Sequence, residues 1–171
     1  MSPPPFEVAL DEHGAVVMRV LHRLLGRADA EDAWQETFIA ALRAYPRLRD
    51  GSDVRAWLLT IAHRKAIDRF RARARQPLPV ADAEGPAPGT VEAEVGVTAT
   101  VDLGGASVGL WSRVRMLPEK QRLAVGYRFG ADLSYADVAS LLECSPAAAR
   151  RSVFEGLRTL RHQLTEEELP T

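Results

Sequence analysis

One stretch near the middle of this 171-residue chain divides it into two parts. Residues 77–112 contain four prolines, six glycines and five acidic residues, but no lysine or arginine. Proline and glycine at this density interrupt helices and strands, so the stretch is typical of a linker rather than of a packed core. The sequence therefore predicts two folded blocks, residues 1–76 and 111–165, joined by a flexible acidic linker over 77–110, with a short tail over 166–171.

The overall composition is that of an ordinary globular protein, with 46% apolar and 26% charged residues. No apolar run reaches the roughly 18 residues that a membrane helix needs, and the N-terminus lacks the basic start and apolar core of a secretory signal. The single cysteine, Cys144, cannot form an internal disulfide, and we expect it to fill an apolar position in a turn. These features favour a cytoplasmic protein without membrane insertion.

Apolar residues recur at helical spacing through the N-terminal block, which predicts three helices after a disordered proline-rich tip. The first helix ends at Gly26, the second begins with Asp29 as its N-cap and ends at Pro46, and the third runs from about Val54 to Arg75. The second is expected to bury Ala33, Trp34, Thr37, Phe38, Ala41 and Leu42. The third ends with six basic residues in twelve, more than interaction with the helix dipole requires.

The C-terminal block carries sharper helix-start signals. Pro118 begins a helix that Gly130 closes, Ser134 and Asp137 form a variant of the capping box, and Ser145 precedes a proline at the start of a longer helix. A short capped helix, a tight turn and a second capped helix match the helix-turn-helix geometry. The last helix is expected to bury a stripe formed by Ala149, Val153, Leu157, Leu160 and Leu164. The chain is therefore predicted to be all-α, with two small helical domains.

Both blocks, in this order, resemble the extracytoplasmic-function (ECF) group of bacterial RNA polymerase sigma factors. The segment DAEDAWQETF at residues 29–38 resembles a signature of the group, and RAWLLTIAH at residues 55–63 resembles the run that follows it. Residues 117–146 resemble sigma region 4. The resemblance implies a sigma region 2-like domain, a helix-turn-helix region 4-like domain, and a protein that binds core RNA polymerase and directs transcription initiation at specific promoters.

The resemblance also implies a role for particular residues. The face formed by Asp32, Gln35 and Glu36 resembles the surface that grips the clamp of core RNA polymerase. The residues that would melt and read the −10 element are Arg49, Asp50, Ser52, Trp57, Arg64, Lys65, Arg69 and Arg71. Extruding a base costs a few kcal/mol, so a pocket with flanking cations suits this task. The residues that would read the −35 element in the major groove are Ser145, Ala147, Ala148, Arg150, Arg151, Phe154 and Glu155.

Some residues depart from the group's pattern, so the promoter sequence does not carry over. Ser152 stands where an arginine is usual, and Phe154 and Glu155 replace residues that are often His or Arg. Glu155 repels phosphate but can accept a hydrogen bond from cytosine N4. The other expected partners are promoter DNA and an anti-sigma protein, with no cofactor, metal ion or small-molecule substrate.

The linker length is compatible with two promoter elements a couple of helical turns apart, which lie about 70 Å from each other. The 36 residues of the stretch 77–112 reach roughly 120 Å when extended, whereas a flexible coil of that length averages about 30–36 Å. The linker can therefore bridge both elements only when a partner holds it partly stretched. A plain solvated tether is the alternative interpretation of its acidic composition.

Two other functions compete with the sigma-factor interpretation. A free-standing helix-turn-helix regulator would explain the C-terminal block but would leave the acidic face of the N-terminal block without a role. A phosphodiester-cleaving enzyme could use Asp32 and Glu36, one helical turn apart, but no third ligand stands at a matching spacing. We find no phosphate-binding glycine loop, nucleophile elbow or metal-ligand cluster in the sequence, so we predict that the protein is not an enzyme.

Overall fold

The computed structural model describes residues 3–75 and 105–167, and all of their regular secondary structure is helical. The elements are α1 (Phe6–Leu25), α2 (Arg27–Ala44), a 3-10 turn (Tyr45–Arg47), α3 (Val54–Arg75), α4 (Gly105–Met116), α5 (Glu119–Gly130), α6 (Tyr135–Leu141) and α7 (Pro146–Glu167). Helices α1–α3 form one domain and α4–α7 form the other. The prediction of an all-α chain with two small helical domains is confirmed.

The N-terminal domain packs α2 and α3 against α1. Gly26 separates α1 from α2 at a φ of 84°, a left-handed conformation that glycine adopts without strain. Helix α2 begins at Arg27 rather than after Asp29, so the expected N-cap is wrong. Asp29 lies in the first turn of α2 and pairs with Arg73 of α3. A carboxylate in the first turn of a helix still interacts favourably with the helix dipole.

The proline-rich tip is ordered at Pro3–Pro5, contrary to expectation. Helix α1 begins at Phe6, whose ring packs edge-on against Tyr45 with the centroids 5.2 Å apart. The Tyr45 hydroxyl donates a hydrogen bond of 2.5 Å to the carbonyl oxygen of Pro4. The aromatic contact and the hydrogen bond together fix the start of the chain against the end of α2.

The C-terminal domain packs α5 and α6 against α7. Helix α4 begins at Gly105, inside the segment predicted as linker, although the glycines there favour a break. The rest of the predicted linker, residues 77–104, lies outside the described residues. Ser145 begins α7 as expected, because its hydroxyl accepts a 3.1 Å hydrogen bond from the backbone N–H of Ala148. Helix α7 continues to Glu167, past the predicted start of the tail.

Three residues expected in the core lie at the surface instead. Leu42 near the end of α2 is 55% exposed, and Leu164 near the end of α7 is 44% exposed. Cys144 is an exposed free thiol in the turn before α7. The helical pattern places Leu42 and Leu164 near an apolar face, and Cys144 occupies a turn position where an apolar residue is expected, but no neighbouring element of the described chain covers these side chains.

The two domains are in contact, because α4 and α5 pack against α1. Val20 and Leu24 of α1 belong to the same cluster of buried residues as Leu123 and Tyr127 of α5. The sequence left the arrangement of the two domains open, and the structure places them side by side.

The capping box at the start of α6 is expected to contribute measurably to stability. The Ser134 hydroxyl accepts a 3.1 Å hydrogen bond from the Asp137 N–H, and the Asp137 carboxylate accepts one of 3.3 Å from the Ser134 N–H. Ser134→Ala should lower the free energy of unfolding by about 1 kcal/mol in urea denaturation. Ser140→Ala, within the same helix, is the matched control. Equal effects of the two substitutions would contradict a specific capping role.

Candidate binding surfaces

The outer face of α2 combines acidic and apolar side chains. Asp32, Gln35 and Glu36 are all exposed there, as predicted for a partner-binding face. Ile39 and Leu42 continue the same face toward the end of the helix and are 51% and 55% exposed. Exposed apolar side chains bordered by polar ones are typical of protein-binding surfaces. Sequence reasoning missed these two residues, because Leu42 follows the core pattern and Ile39 carries no polar signal.

Basic residues of α3 lie against the acidic residues of α2. The Lys65 Nζ is 3.6 Å from a Glu36 carboxylate oxygen, and Arg69 pairs with both Asp32, at 3.6 Å, and Glu36. The structure thus joins residues that the resemblance assigned to two different partners, polymerase and DNA. Partly exposed ion pairs contribute only about 0–1 kcal/mol each, so a charged partner can replace them.

The loop before α3 is held in one conformation by local hydrogen bonds. The Ser52 N–H donates to the Arg49 carbonyl oxygen at 3.2 Å, and Gly51 between them has a φ of 77°. The Asp53 carboxylate accepts a 3.0 Å hydrogen bond from the Ala56 N–H and so caps the first turn of α3. This geometry presents the exposed Arg49 and the half-buried Ser52 at the start of α3.

The eight residues predicted for the −10 element form a strip rather than a single pocket. Trp57 is half-buried near the loop, with its ring 5.9 Å from that of Tyr45. Arg64 and Arg71 are exposed further along α3. At 1.5 Å per residue, Trp57 and Arg71 are separated by about 21 Å along the helix axis. Lys65 and Arg69 lie along the α2 side of this strip.

The first turns of α7 bring most of the residues predicted for the −35 element to one face. Ala147, Arg150, Arg151 and Phe154 line a shallow groove, and Phe154 is 60% exposed. Ser145 is exposed at the start of the helix, while Ala148 and Glu155 lie half-buried beside this face. A helix face of this kind, with two arginines and an aromatic ring, can contact phosphates and base edges in a major groove.

Tyr135 of α6 supports one of these arginines. The Arg150 guanidinium lies 5.0 Å above the Tyr135 ring, and Arg128 of α5 lies 5.3 Å from the same ring. A cation stacked on an aromatic face has less freedom to rotate and is held in position. Arg151, the next residue of α7, is exposed to solvent.

The paired carboxylates of α2 do not lie among other metal-ligating side chains. Within residues 3–75 and 105–167, no group of three or more His, Cys, Asp or Glu residues could hold a metal ion. None of the helices described there has both the length and the apolar character needed to cross a bilayer.

Comparison with known families assigns both domains. Residues 9–76 match the family described as Sigma-70 region 2, and residues 108–160 match the family described as Sigma-70, region 4. These matches correspond to α1–α3 and to most of α4–α7.

Curated relatives align with most of this chain. The chain is 31% identical over 159 residues to the ECF RNA polymerase sigma factor BldN of Streptomyces coelicolor, covering 92% of this chain and 59% of BldN. It is 31% identical over 131 residues to the ECF RNA polymerase sigma factor EcfG of Rhodopseudomonas palustris, covering 76% of this chain and 68% of EcfG. It is 26% identical over 164 residues to an ECF RNA polymerase sigma-E factor of Haemophilus influenzae, covering 93% of this chain and 87% of that protein.

A solved structure shows a similar arrangement of helices. The sigma factor RpoE of Bartonella quintana, crystallised with the anti-sigma factor NepR, is 25% identical with a TM-score of 0.67, covering 94% of this chain and 96% of that one. CnrH, solved with the cytosolic domain of CnrY, shares the fold at 19% identity and a TM-score of 0.66, covering 94% of this chain and 88% of CnrH.

Proposed function

The chain belongs to the ECF group of sigma-70-type RNA polymerase sigma factors, and from that membership we propose that it binds core RNA polymerase and directs initiation at specific promoters. The observation that carries this proposal is the presence, on one chain, of an acidic and apolar α2 face and of a basic helix-turn-helix. A free-standing regulator would need only the second of these. In this function the protein is not an enzyme, because the polymerase supplies the chemistry of RNA synthesis.

The α2 face is the proposed contact with the polymerase clamp. Asp32, Gln35 and Glu36 supply its polar part, and Ile39 and Leu42 supply exposed apolar area. Buried apolar side chains with a polar rim are the usual arrangement of a stable protein interface. We assign Ile39 and Leu42 to this contact in addition to the three residues predicted from the sequence.

The strip along α3 is the proposed contact with the −10 element. Arg49, Asp50, Ser52 and Trp57 would hold an extruded base at the start of the helix, because stacking on an aromatic ring and nearby polar groups offset the cost of unstacking. The cations further along the helix would hold phosphates upstream. These are Arg64, Lys65, Arg69 and Arg71.

The exposed face of α7 is the proposed contact with the −35 element. Arg150, whose guanidinium stacks on the Tyr135 ring, would contact one phosphate or base edge. Arg151 and Phe154 complete the face. Ser145, Ala147, Ala148 and Glu155 border it. The face lies at the start of the second helix of the helix-turn-helix, and residues at that end of a recognition helix contact base edges in the major groove.

The arginines of this face should be needed for promoter binding and not for polymerase binding. Arg150→Ala and Arg151→Ala should each weaken −35 binding by about fivefold to a hundredfold, since one good base contact contributes about 1–3 kcal/mol of discrimination. Binding can be measured by fluorescence anisotropy of a labelled promoter fragment with the reconstituted holoenzyme. Arg161→Ala, about three turns further along α7, is the control. Equal loss of promoter and polymerase binding would contradict the assignment.

We also propose an anti-sigma protein as a partner. The support is that RpoE of Bartonella quintana, which shares the fold over almost the whole chain, was solved bound to an anti-sigma factor. Co-purification of the tagged chain from its host, followed by mass spectrometry, tests this directly. Recovery of core polymerase subunits without a smaller regulatory protein would count against it.

Polymerase dependence separates this function from that of a free-standing regulator. The purified chain alone should bind a promoter duplex weakly. Addition of core polymerase should produce a stable complex in which the DNA is protected from cleavage over both promoter elements. Equally tight, site-specific binding with and without core polymerase would support the free-standing regulator instead.

A further inference from the structure

The exposed Arg151 and the half-buried Glu155 lie next to each other on one edge of the α7 face. Consecutive residues of an α-helix are rotated by about 100°, so residues four apart differ by only about 40°. Arg150, stacked on Tyr135, marks the edge of the face that is directed toward α6. Arg151 is rotated by about 100° from Arg150, and Glu155 lies about one turn beyond Arg151. Arg151 and Glu155 are therefore on the side of the face away from α6.

These two opposite charges do not neutralise each other. Arg151 precedes Glu155 by four residues, which is the less favourable order for an ion pair on a helix. Among the ion pairs of residues 3–75 and 105–167, none includes either side chain. The Thr159 hydroxyl donates a 3.0 Å hydrogen bond to the backbone carbonyl oxygen of Glu155 and not to its carboxylate. The guanidinium donors and the carboxylate acceptors are therefore available to a molecule outside the described chain.

The base edges of the major groove decide what a carboxylate on this face can bind. A carboxylate only accepts hydrogen bonds and repels phosphate oxygens, so it needs a base that offers a donor. Guanine offers two acceptors in the major groove, and thymine offers an acceptor and a methyl group. Adenine offers its N6 amino donor beside the N7 acceptor, which repels a carboxylate. Cytosine offers its N4 amino donor without an adjacent acceptor, so it is the base that Glu155 fits best.

Arg151 fits the complementary kind of base edge. Its guanidinium carries donors in a planar fork, which match the O6 and N7 acceptors of guanine. Arg151 and Glu155 are about 6 Å apart along the helix axis, and neighbouring base pairs are about 3.4 Å apart, so both side chains can contact a short segment of the duplex. The pair is therefore suited to a segment that presents one guanine and one cytosine in the major groove.

We propose that Glu155 is a specificity-determining residue, which reads a cytosine of the −35 element close to a guanine read by Arg151. This inference rests on the proposed function, because that function assigns the α7 face to the −35 element. Where another base replaces the cytosine, the carboxylate gains no hydrogen bond and faces acceptors or phosphates. Glu155 therefore discriminates mainly by weakening the binding of wrong sequences.

Glu155→Gln tests the base assignment, because the amide has the same shape as the carboxylate but offers both a donor and an acceptor. A glutamine side chain pairs with N6 and N7 of adenine, so the preferred base should change from cytosine to adenine. The matched control is Glu143→Gln, which removes the same charge from the exposed turn before α7 and should leave the preferred base unchanged. Circular dichroism should show the same helix content in all three proteins.

Selection from a library of duplexes with a randomised segment measures the preferred base. Each protein would be used both as the full chain alone and as holoenzyme with core RNA polymerase. The unchanged chain and Glu143→Gln should enrich a guanine and a cytosine close together, and Glu155→Gln should enrich adenine in place of the cytosine. In fluorescence anisotropy with two duplexes that differ only at this base pair, each protein should favour its own duplex by about fivefold to a hundredfold.

The outcomes separate this inference from the proposed function. The same preferred base for the unchanged chain and for Glu155→Gln, in duplexes that both proteins bind, would overturn the role of Glu155. A change at a position where the unchanged chain prefers a base other than cytosine would overturn the base assignment. A change from cytosine to adenine in the chain alone, without any complex with core polymerase, would leave the base assignment standing and overturn the proposed function. No enriched sequence with or without polymerase would overturn both.

Discussion

Replacing Glu36 with lysine is expected to weaken binding to core RNA polymerase by about thirtyfold to a hundredfold. Glu36 is exposed in the middle of the acidic α2 face, beside Asp32 and one turn before Ile39. A reversed charge at a complementary interface replaces attraction with repulsion and costs several kcal/mol. A loss of about 2–3 kcal/mol corresponds to the stated decrease in affinity. Titration of labelled core polymerase with each variant measures the change.

The fold should tolerate this substitution. Glu36 pairs with Lys65 and Arg69 in partly exposed ion pairs, which contribute little to stability. Glu12→Lys reverses an exposed charge on α1 and serves as the control, with unchanged affinity expected. If Glu36→Lys bound polymerase as tightly as Glu12→Lys did, the α2 face would not be the polymerase contact.

Replacing Leu21 with alanine is expected to lower the free energy of unfolding by about 2–5 kcal/mol. Leu21 is 0% exposed on α1, the helix that contacts α2, α3, α4 and α5. Removing a large buried side chain loses its transfer free energy and leaves a cavity. Urea denaturation followed by circular dichroism measures this loss.

Leu42→Ala is the same substitution at a surface position. Leu42 is 55% exposed, so the free energy of unfolding should change by no more than about 0.5 kcal/mol. Because Leu42 lies on the proposed polymerase contact, its removal should weaken polymerase binding instead. A large destabilisation by Leu42→Ala, or a negligible one by Leu21→Ala, would show that the described packing is wrong.

Helix boundaries set by local chemistry could be predicted from the sequence. Gly26 separates the first two helices, and the Ser134 and Asp137 capping box and Ser145 start helices where expected. Each of these signals depends on groups within a few residues of each other. Such hydrogen bonds form in the same way regardless of how the rest of the chain folds.

Features that depend on tertiary contacts could not be predicted in the same way. The glycines at the start of α4 favour a break, but a helix beginning at Gly105 packs against α1 and α5. Leu164 has the spacing of a core residue, but no described element covers it. The tip at Pro3–Pro5 is ordered by the rings of Phe6 and Tyr45, which are distant in sequence.

The candidate surfaces were predicted to different extents. The face of α7 follows from the position of one helix, so Arg150, Arg151 and Phe154 lie together as expected. The pairing of Lys65 and Arg69 with the acidic residues of α2 depends on how two helices pack. The contact of α4 and α5 with α1 joins elements that are far apart in the sequence, and no local pattern indicates it.

Reconstituted transcription tests the central claim most directly. Purified chain and core RNA polymerase would be mixed with fragmented genomic DNA from the host, and run-off transcripts would be sequenced. Discrete transcripts that start downstream of a shared pair of promoter elements, and that depend on both components, are expected. Transcription by core polymerase that is unchanged by the chain, together with a lack of stable complex formation, would contradict the sigma-factor function.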